Sequence, residues 1–420
     1  MRGDFEHVSL SKLGAESPMQ VDLFFTICDT FRITSLQYPT CYFSYRRIIC
    51  SSCYSCHTMS MASRFLRTLP LPRHSTPLRH YSSAAMPATS PFAPRHLLSI
   101  ADLTPKELTA LVLNAAKHKT DFKSGKGLPN LSTSLYGKTV AVMFSKRSTR
   151  TRVSTEGAVV ALGGHPMFLG KDDIQLGVNE SLYDTSVVIS SMVSAIVARV
   201  HGHADVAELA KHSTVPVINA LSDAFHPLQT IADYLTVHEA FPSKNASVDA
   251  GLGLEGLKIA WVGDANNVLY DLAIGAMKLG INVSVATPKG YETPDNMRQI
   301  ILQAGKGVSS PGSFSETNVP EEAVKDADII VTDTWVSMGQ EEETVKRMKA
   351  FEGFQVTADL AKRGGAKEGW QFMHCLPRHP EEVEDAVFYS PKSLVFPEAE
   401  NRLYAAIGMS RQLERTETES

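Results

Sequence analysis

The chain has 420 residues, and it is short of cysteine where a fold would need it. Cys28, Cys41, Cys50, Cys53 and Cys56 all precede the region of regular apolar periodicity, which leaves Cys375 alone within it. A disulfide framework for the fold is therefore excluded. No stretch reaches the ~18 to 20 apolar residues that cross a bilayer as a helix, so no membrane partner is expected. Charge of one sign is also lacking in bulk. With a formal net charge of -4, the chain has no general attraction for nucleic acid, and any anion must be held by a local cluster.

Acidic residues are missing from His57 to Ala101, where Arg64, Arg67, Arg73, Arg79 and Arg95 alternate with Ser, Thr, Leu and Pro. That composition is expected of a mitochondrial transit peptide, with Met61 as its natural start, an Arg-x-Tyr/Ser cleavage signal at Arg79 to Ser82, and a mature protein delivered to the matrix. Upstream, Asp4, Glu6, Glu16, Asp22 and Asp29 are residues that a transit peptide avoids, so residues 1–60 read as an over-extended start. Within them, Cys50-x-x-Cys53-x-x-Cys56 lacks a fourth ligand at metal-site spacing and reads as leader rather than as a metal site.

From Pro94 onward apolar runs alternate with helix-compatible segments. Thr104 and Pro105 form a helix start, as cap and first residue, of a helix running toward Lys119. Strands are expected at 139–144, 195–198 and 216–219, then, after a Gly-rich interval at 241–256, at 257–262, 282–286, 328–332 and 371–374. This rhythm predicts an α/β protein of two doubly wound parallel-sheet domains joined by interdomain helices. The expected parts are a leader at 1–92, a first domain at 93–240, a second at 241–397, and a final helix within 398–420, from Glu398 to Arg415, that returns to the first. Gly251, Gly253 and Gly256 match a dinucleotide fingerprint, but they precede a strand instead of following one. No cofactor is expected from them.

The most informative stretch is Phe144-Ser-Lys-Arg-Ser148-Thr149-Arg150-Thr151-Arg152, four cations crowded into one strand-to-helix turn. A helix start offers unpaired N-H groups and a positive dipole end, so Ser148, Thr149, Arg150 and Thr151 can surround a phosphate. Taken alone, such a cluster is more often a solvated basic turn. Its place at a strand's carboxyl end favours a ligand site, because open α/β sheets bind there.

This string resembles the carbamoyl phosphate loop of the transcarbamoylases, and Lys146 points to the ornithine branch, since the aspartate branch usually has an acid there. Similar signatures follow in family order: Asp173 to Ser181, Ala198-Arg199-Val200, His226-Pro-Leu-Gln229, Gly263 to Asn267, Asp333 to Gly339, His374-Cys375-Leu376-Pro377-Arg378 and Glu400-Asn-Arg402. The resemblance covers Pro94 to about Arg415. It implies that Ser148 to Thr151, Arg199, His226, Gln229, Cys375, Leu376 and Arg402 hold carbamoyl phosphate, with Arg150, His226, Cys375 and Arg402 serving the chemistry. Asn267, Asp333, Ser337 and Met338 would bind L-ornithine, the last through its backbone. Cys375 would sit by the attacking nitrogen as a thiolate that helps remove its proton. Gln175 would enter a neighbouring subunit's site in a homotrimer. His374 and His379 lack the spacing of a structural zinc site, so no metal is expected. A relative acting on another amine, such as putrescine, aspartate or an acylated ornithine, and a non-catalytic binding protein of the same fold, remain the competing readings.

Overall fold

The computed structural model describes residues 95–125, 131–171, 180–243, 245–336 and 341–418. The leader with its cleavage signal and cysteine run, and Gln175, Ser337 and Met338, lie outside the described residues.

In the first lobe, a 3-10 turn at Ile100–Asp102 leads into α1 (Pro105–Lys123). Thr104 caps α1 in a reciprocal box: its backbone N-H donates to Glu107 at 2.7 Å, and its hydroxyl accepts from the Glu107 N-H. There follow β1 (Thr139–Phe144), α2 (Thr149–Ala161), β2 (His165–Gly170), α3 (Leu182–Ser190), β3 (Ala195–Arg199), α4 (His203–His212), β4 (Val217–Leu221) and α5 (Pro227–Ala240). All neighbours in this sheet are parallel, in the order β2-β1-β3-β4.

The second lobe has β5 (Lys258–Val262), α6 (Asn267–Leu279), β6 (Asn282–Ala286), α7 (Asp295–Ala304), β7 (Phe314–Thr317), α8 (Pro320–Val324), β8 (Ile329–Val331), α9 (Thr344–Ala350), α10 (Ala358–Gly364), β9 (Gln371–Met373) and α11 (Asp385–Phe388). Its sheet is also parallel, in the order β7-β6-β5-β8-β9. The fold is thus the expected pair of doubly wound α/β lobes.

Helices join the lobes into one continuous core. α6 packs on α5, and at their crossing the Tyr234 ring lies over Gly275, where an added Cβ would fall 2.4 Å from a ring carbon. Only glycine fits there. The last helix, α12 (Val395–Thr418), packs back on α1, α2 and α5. It starts three residues earlier than its sequence pattern suggests, because Pro397 falls in the first turn, where a missing N-H costs nothing.

Two strands escaped the sequence reading, β2 and β7, and both are edges. β2 carries Pro166 and is only partly buried, and β7 has four residues of mixed polarity. Inner strands β1 and β3 are apolar runs, since both faces are covered.

In each sheet the chain starts at an inner strand, winds to one edge and then crosses to the other side. The crossover leaves a crevice at the carboxyl ends of β1 and β3 in the first sheet and of β5 and β8 in the second.

Candidate active site

The segments leaving those four strands, with those after β4 and β9 and the helix α12, carry the candidate residues. After β1, Ser148 takes extended backbone and caps α2, its hydroxyl accepting the Thr151 N-H at 3.3 Å. The helix therefore begins at Thr149, four residues before its first apolar position, and the turn is both cap and ligand loop. Arg199 ends β3, its own carbonyl accepting from the Ser145 N-H at 2.9 Å. After β5, the Asn266 side chain caps α6 with bonds to the Val268 and Leu269 N-H groups, and its amide donates to Asp333 at 2.8 Å. Asp333 itself follows β8, and Cys375 follows β9.

These segments line one cavity of about 1020 Å³. Ser148, Thr149, Arg150, Thr151, Arg199, His226, Gln229, Asn267, Asp333, Cys375, Leu376 and Arg402 all border it, so every described candidate is brought together.

One side is cationic. Arg199 and Arg402 are buried, 6% and 3% exposed. Burial and the charge of neighbouring arginines push both guanidiniums down to about 10. Among the described residues neither forms an ion pair, nor does Arg150, which instead donates to the Leu376 carbonyl at 2.5 Å. The Arg199 and Arg402 Nε atoms are buried without a hydrogen-bond partner. Uncompensated charge at this depth is costly until an anion arrives.

His226 is the N-cap of α5 and is wholly buried. Its backbone N-H donates to Asp271 of α6 at 2.8 Å, a bond between the lobes. Burial, with Arg402, Arg199 and Arg150 nearby, drives the imidazole well below its ordinary value, so the ring is neutral. Arg402 Nη1 lies 3.2 Å from Nε2. A guanidinium has donors only, so Nε2 accepts and the proton sits on Nδ1, which has no partner in the cleft. Arg402 also donates to the Gln229 oxygen, and to the Thr151 hydroxyl at 3.4 Å.

The facing side is different in kind. The Cys375 thiol donates to Asp333 at 3.1 Å, and burial with that carboxylate raises it well above its ordinary value. The expected thiolate is therefore corrected: in the open cleft Cys375 is a thiol. Asn267 donates its amide to the Ser222 carbonyl of the first lobe at 2.5 Å. His374 has both ring nitrogens engaged, Nδ1 with the Leu376 N-H and Nε2 with Glu382, which leaves neither for a metal.

The sequence reading missed Asn266, which orients Asp333, and two buried carboxyls behind the cleft, Asp233 and Glu398. Asp233 had one available signal, its position one helical turn beyond Gln229.

Residues 95–239 match the family model for the carbamoyl-P binding domain of aspartate/ornithine carbamoyltransferase, and residues 255–409 match that for the Asp/Orn binding domain. The chain belongs to the aspartate/ornithine carbamoyltransferase family. Among relatives within it, the mitochondrial ornithine carbamoyltransferase of Aspergillus terreus is 74% identical over 330 residues, covering 79% of this chain and 91% of that protein. The mitochondrial ornithine transcarbamylase of Pachysolen tannophilus is 54% identical, covering 79% and 92%. Among solved structures, the mitochondrial ornithine carbamoyltransferase of Coccidioides immitis superposes with a TM-score of 0.72 at 68% identity, covering 76% of this chain and 97% of that one. The Pyrococcus furiosus ornithine carbamoyltransferase gives 0.69 at 45%, covering 77% and 97%. The carbamoyltransferase lobes thus coincide with the two sheets described above.

Proposed function

We propose that this cleft transfers the carbamoyl group of carbamoyl phosphate to the δ-amine of L-ornithine, giving L-citrulline and phosphate, the carbamoyl step of arginine biosynthesis and the urea cycle. One observation carries the reading: Arg150, Arg199 and Arg402, without ion pairs among the described residues, share a single cavity with Asp333 and Cys375.

In this mechanism the first turn of α2, Arg150 and Arg199 hold the phosphate. The neutral amine attacks the carbonyl carbon, a C-N bond forms, and negative charge grows on the carbonyl oxygen. The Nδ1-H of His226, the Thr151 hydroxyl and Arg402 are the donors available to it. The C-O bond to phosphate then breaks, and the proton shed by nitrogen leaves on the phosphate. Direct attack needs no acyl-enzyme, so Cys375 is not a nucleophile. As a thiol beside three arginines it offers no countercharge to an ammonium, which favours the free amine that must attack. Asp333 suits a free α-ammonium, which sets ornithine above an acylated ornithine. Ser337 and Met338 are assigned to ornithine by resemblance.

We further propose a homotrimer whose neighbour supplies Gln175. Its support is the exposed apolar face of α2 and α3, with Val153 66%, Val160 62%, Tyr183 53% and Val188 47% exposed. The protein is mitochondrial, a location that the Aspergillus terreus relative carries in its name, and we propose the matrix, a reading that the basic, acid-free stretch before Ala101 supports.

The test is purified protein with carbamoyl phosphate and, separately, ornithine, putrescine, aspartate and N-acetylornithine. Citrulline from ornithine, in clear preference to the other products, is the expected result. Carbamoylation of another amine moves the substrate, and no reaction with any leaves a binding protein.

A further inference from the structure

Behind Gln229, away from the cavity, lie two carboxyl groups that the proposed reaction does not use. Asp233 is on α5, one turn beyond Gln229, and Glu398 is on α12, one turn ahead of Arg402. They are 3% and 2% exposed, and an oxygen of each lies within hydrogen-bond distance of one nitrogen, Gln229 Nε2. Two carboxylates in such contact away from water cannot both be ionised, so the pair holds one proton. Around them stand Arg402 of α12, Tyr234 of α5, and Asp333, His374 and Cys375 at the ends of β8 and β9.

The Gln229 Nε2 donates to Asp233 at 2.8 Å and to Glu398 at 3.2 Å. The other end of the amide, Oε1, accepts from Arg402. An amide between acceptors on one side and a pure donor on the other has only one stable orientation. Gln229 therefore shows the cleft an acceptor and never a donor. A carbamoyl group carries an NH2 that can fill the second lone pair of this oxygen, whereas an acetyl group carries a methyl that leaves that lone pair empty.

We propose that the buried Asp233–Glu398 pair is a positioning device that fixes the polarity of the Gln229 amide and so makes the cleft select carbamoyl phosphate against acyl phosphates. The inference rests on the proposed use of the cleft for carbamoyl phosphate. Neither carboxyl touches substrate, and both act through Gln229.

The amide isosteres of the two residues differ in a predictable way. Asp233→Asn can keep an oxygen toward Gln229 and offer an N-H to Glu398, which preserves the pattern. In Glu398→Gln one oxygen is still required by the His374 N-H, which Glu398 accepts at 2.9 Å. The new NH2 then meets the NH2 of Gln229, two donors face each other, and Gln229 keeps only the Asp233 acceptor on that side, so its amide is held less firmly.

The experiment is calorimetric binding of carbamoyl phosphate, acetyl phosphate and inorganic phosphate to the full chain and its variants. The parent is expected to prefer carbamoyl over acetyl phosphate by at least about tenfold, and Glu398→Gln to shrink that preference below about threefold, with inorganic phosphate held within about twofold. Asp233→Asn should stay close to the parent for all three ligands. Asp233→Ala, which strips Gln229 of one acceptor, gives a second arm should Glu398→Gln not fold, and should narrow the preference in the same direction. Equal behaviour of Asp233→Asn and Glu398→Gln overturns the inference. So does a parallel loss of inorganic phosphate binding, which marks a purely structural role. A parent that binds none of the three ligands ends the assignment of the cleft itself, while an unchanged preference in Glu398→Gln ends only this inference.

Discussion

The two walls of the cleft solve opposite electrostatic problems. The wall built from β1, β3, α5 and α12 gathers Arg150, Arg199 and Arg402 without an ion pair among the described residues, with the Asp233 and Glu398 carboxyls behind Arg402, and holds His226 neutral between them. The wall built from the ends of β5, β8 and β9 is already satisfied, with Asp333 receiving the Asn266 amide and the Cys375 thiol. One wall is strained toward an incoming anion, the other rests in a closed hydrogen-bond set that an incoming amine must reorganise. This contrast suits a reaction in which charge develops on the carbonyl oxygen and the phosphate while the nucleophile must stay uncharged.

The sharpest way to break that contrast is on the cationic wall. Arg150→Ala is expected to lower kcat/KM by ~2 to 4 kcal/mol, mostly through carbamoyl phosphate, in steady-state citrulline assays. Unchanged kinetics would remove the arginine wall from the mechanism. On the facing wall, Asp333→Asn should raise the KM for ornithine by about tenfold or more, ~1.4 kcal/mol, while carbamoyl phosphate binding stays within about twofold. Equal damage to both substrates would mean that the walls are not separable.

Cys375→Ala tests the thiol. Turnover with ornithine should fall by up to about tenfold with phosphate binding spared, and a variant that loses only thermal stability would return Cys375 to the core. In the unliganded parent, iodoacetamide should modify Cys375 more slowly at neutral pH than it modifies a free thiol. The reason is that a raised thiol is less ionised, and the rate should climb as pH rises. Fast labelling at pH 7 would restore the thiolate.

The smallest effect is a pH limit. Arg199 and Arg402, held down to about 10, are charged below that value and lose charge above it. Phosphate affinity should therefore be flat from neutral pH to about 9 and decline through about 10, where an ordinary arginine wall would persist.

Much of this was legible in the sequence because the cleft residues sit where strands end. Inner strands such as Ala195–Arg199 announce themselves as buried apolar runs, and the motif that follows each one falls at the crevice by the rule of parallel sheets. Edge strands do not announce themselves, since Pro166 and the polar Phe314–Thr317 carry no such pattern. Side-chain roles set by long-range partners were also hidden. The thiol state of Cys375 depends on Asp333, 42 positions away, and the carboxyl pair behind Gln229 unites residues of α5 and α12 that no spacing rule connects. The start of α2 is hidden for a similar reason, because Ser148 opens the helix at Thr149 while apolar periodicity begins only at Val153.

Helix α12 follows every strand of both sheets in chain order, yet it delivers Arg402 to the first lobe and Glu398 to the wall behind Gln229. The segment that supplies the guanidinium joining His226, Gln229 and Thr151 also supplies Tyr404, Ala405 and Ile407 to the core, so the final stretch of chain closes the hydrophobic interior and arms the anion site together.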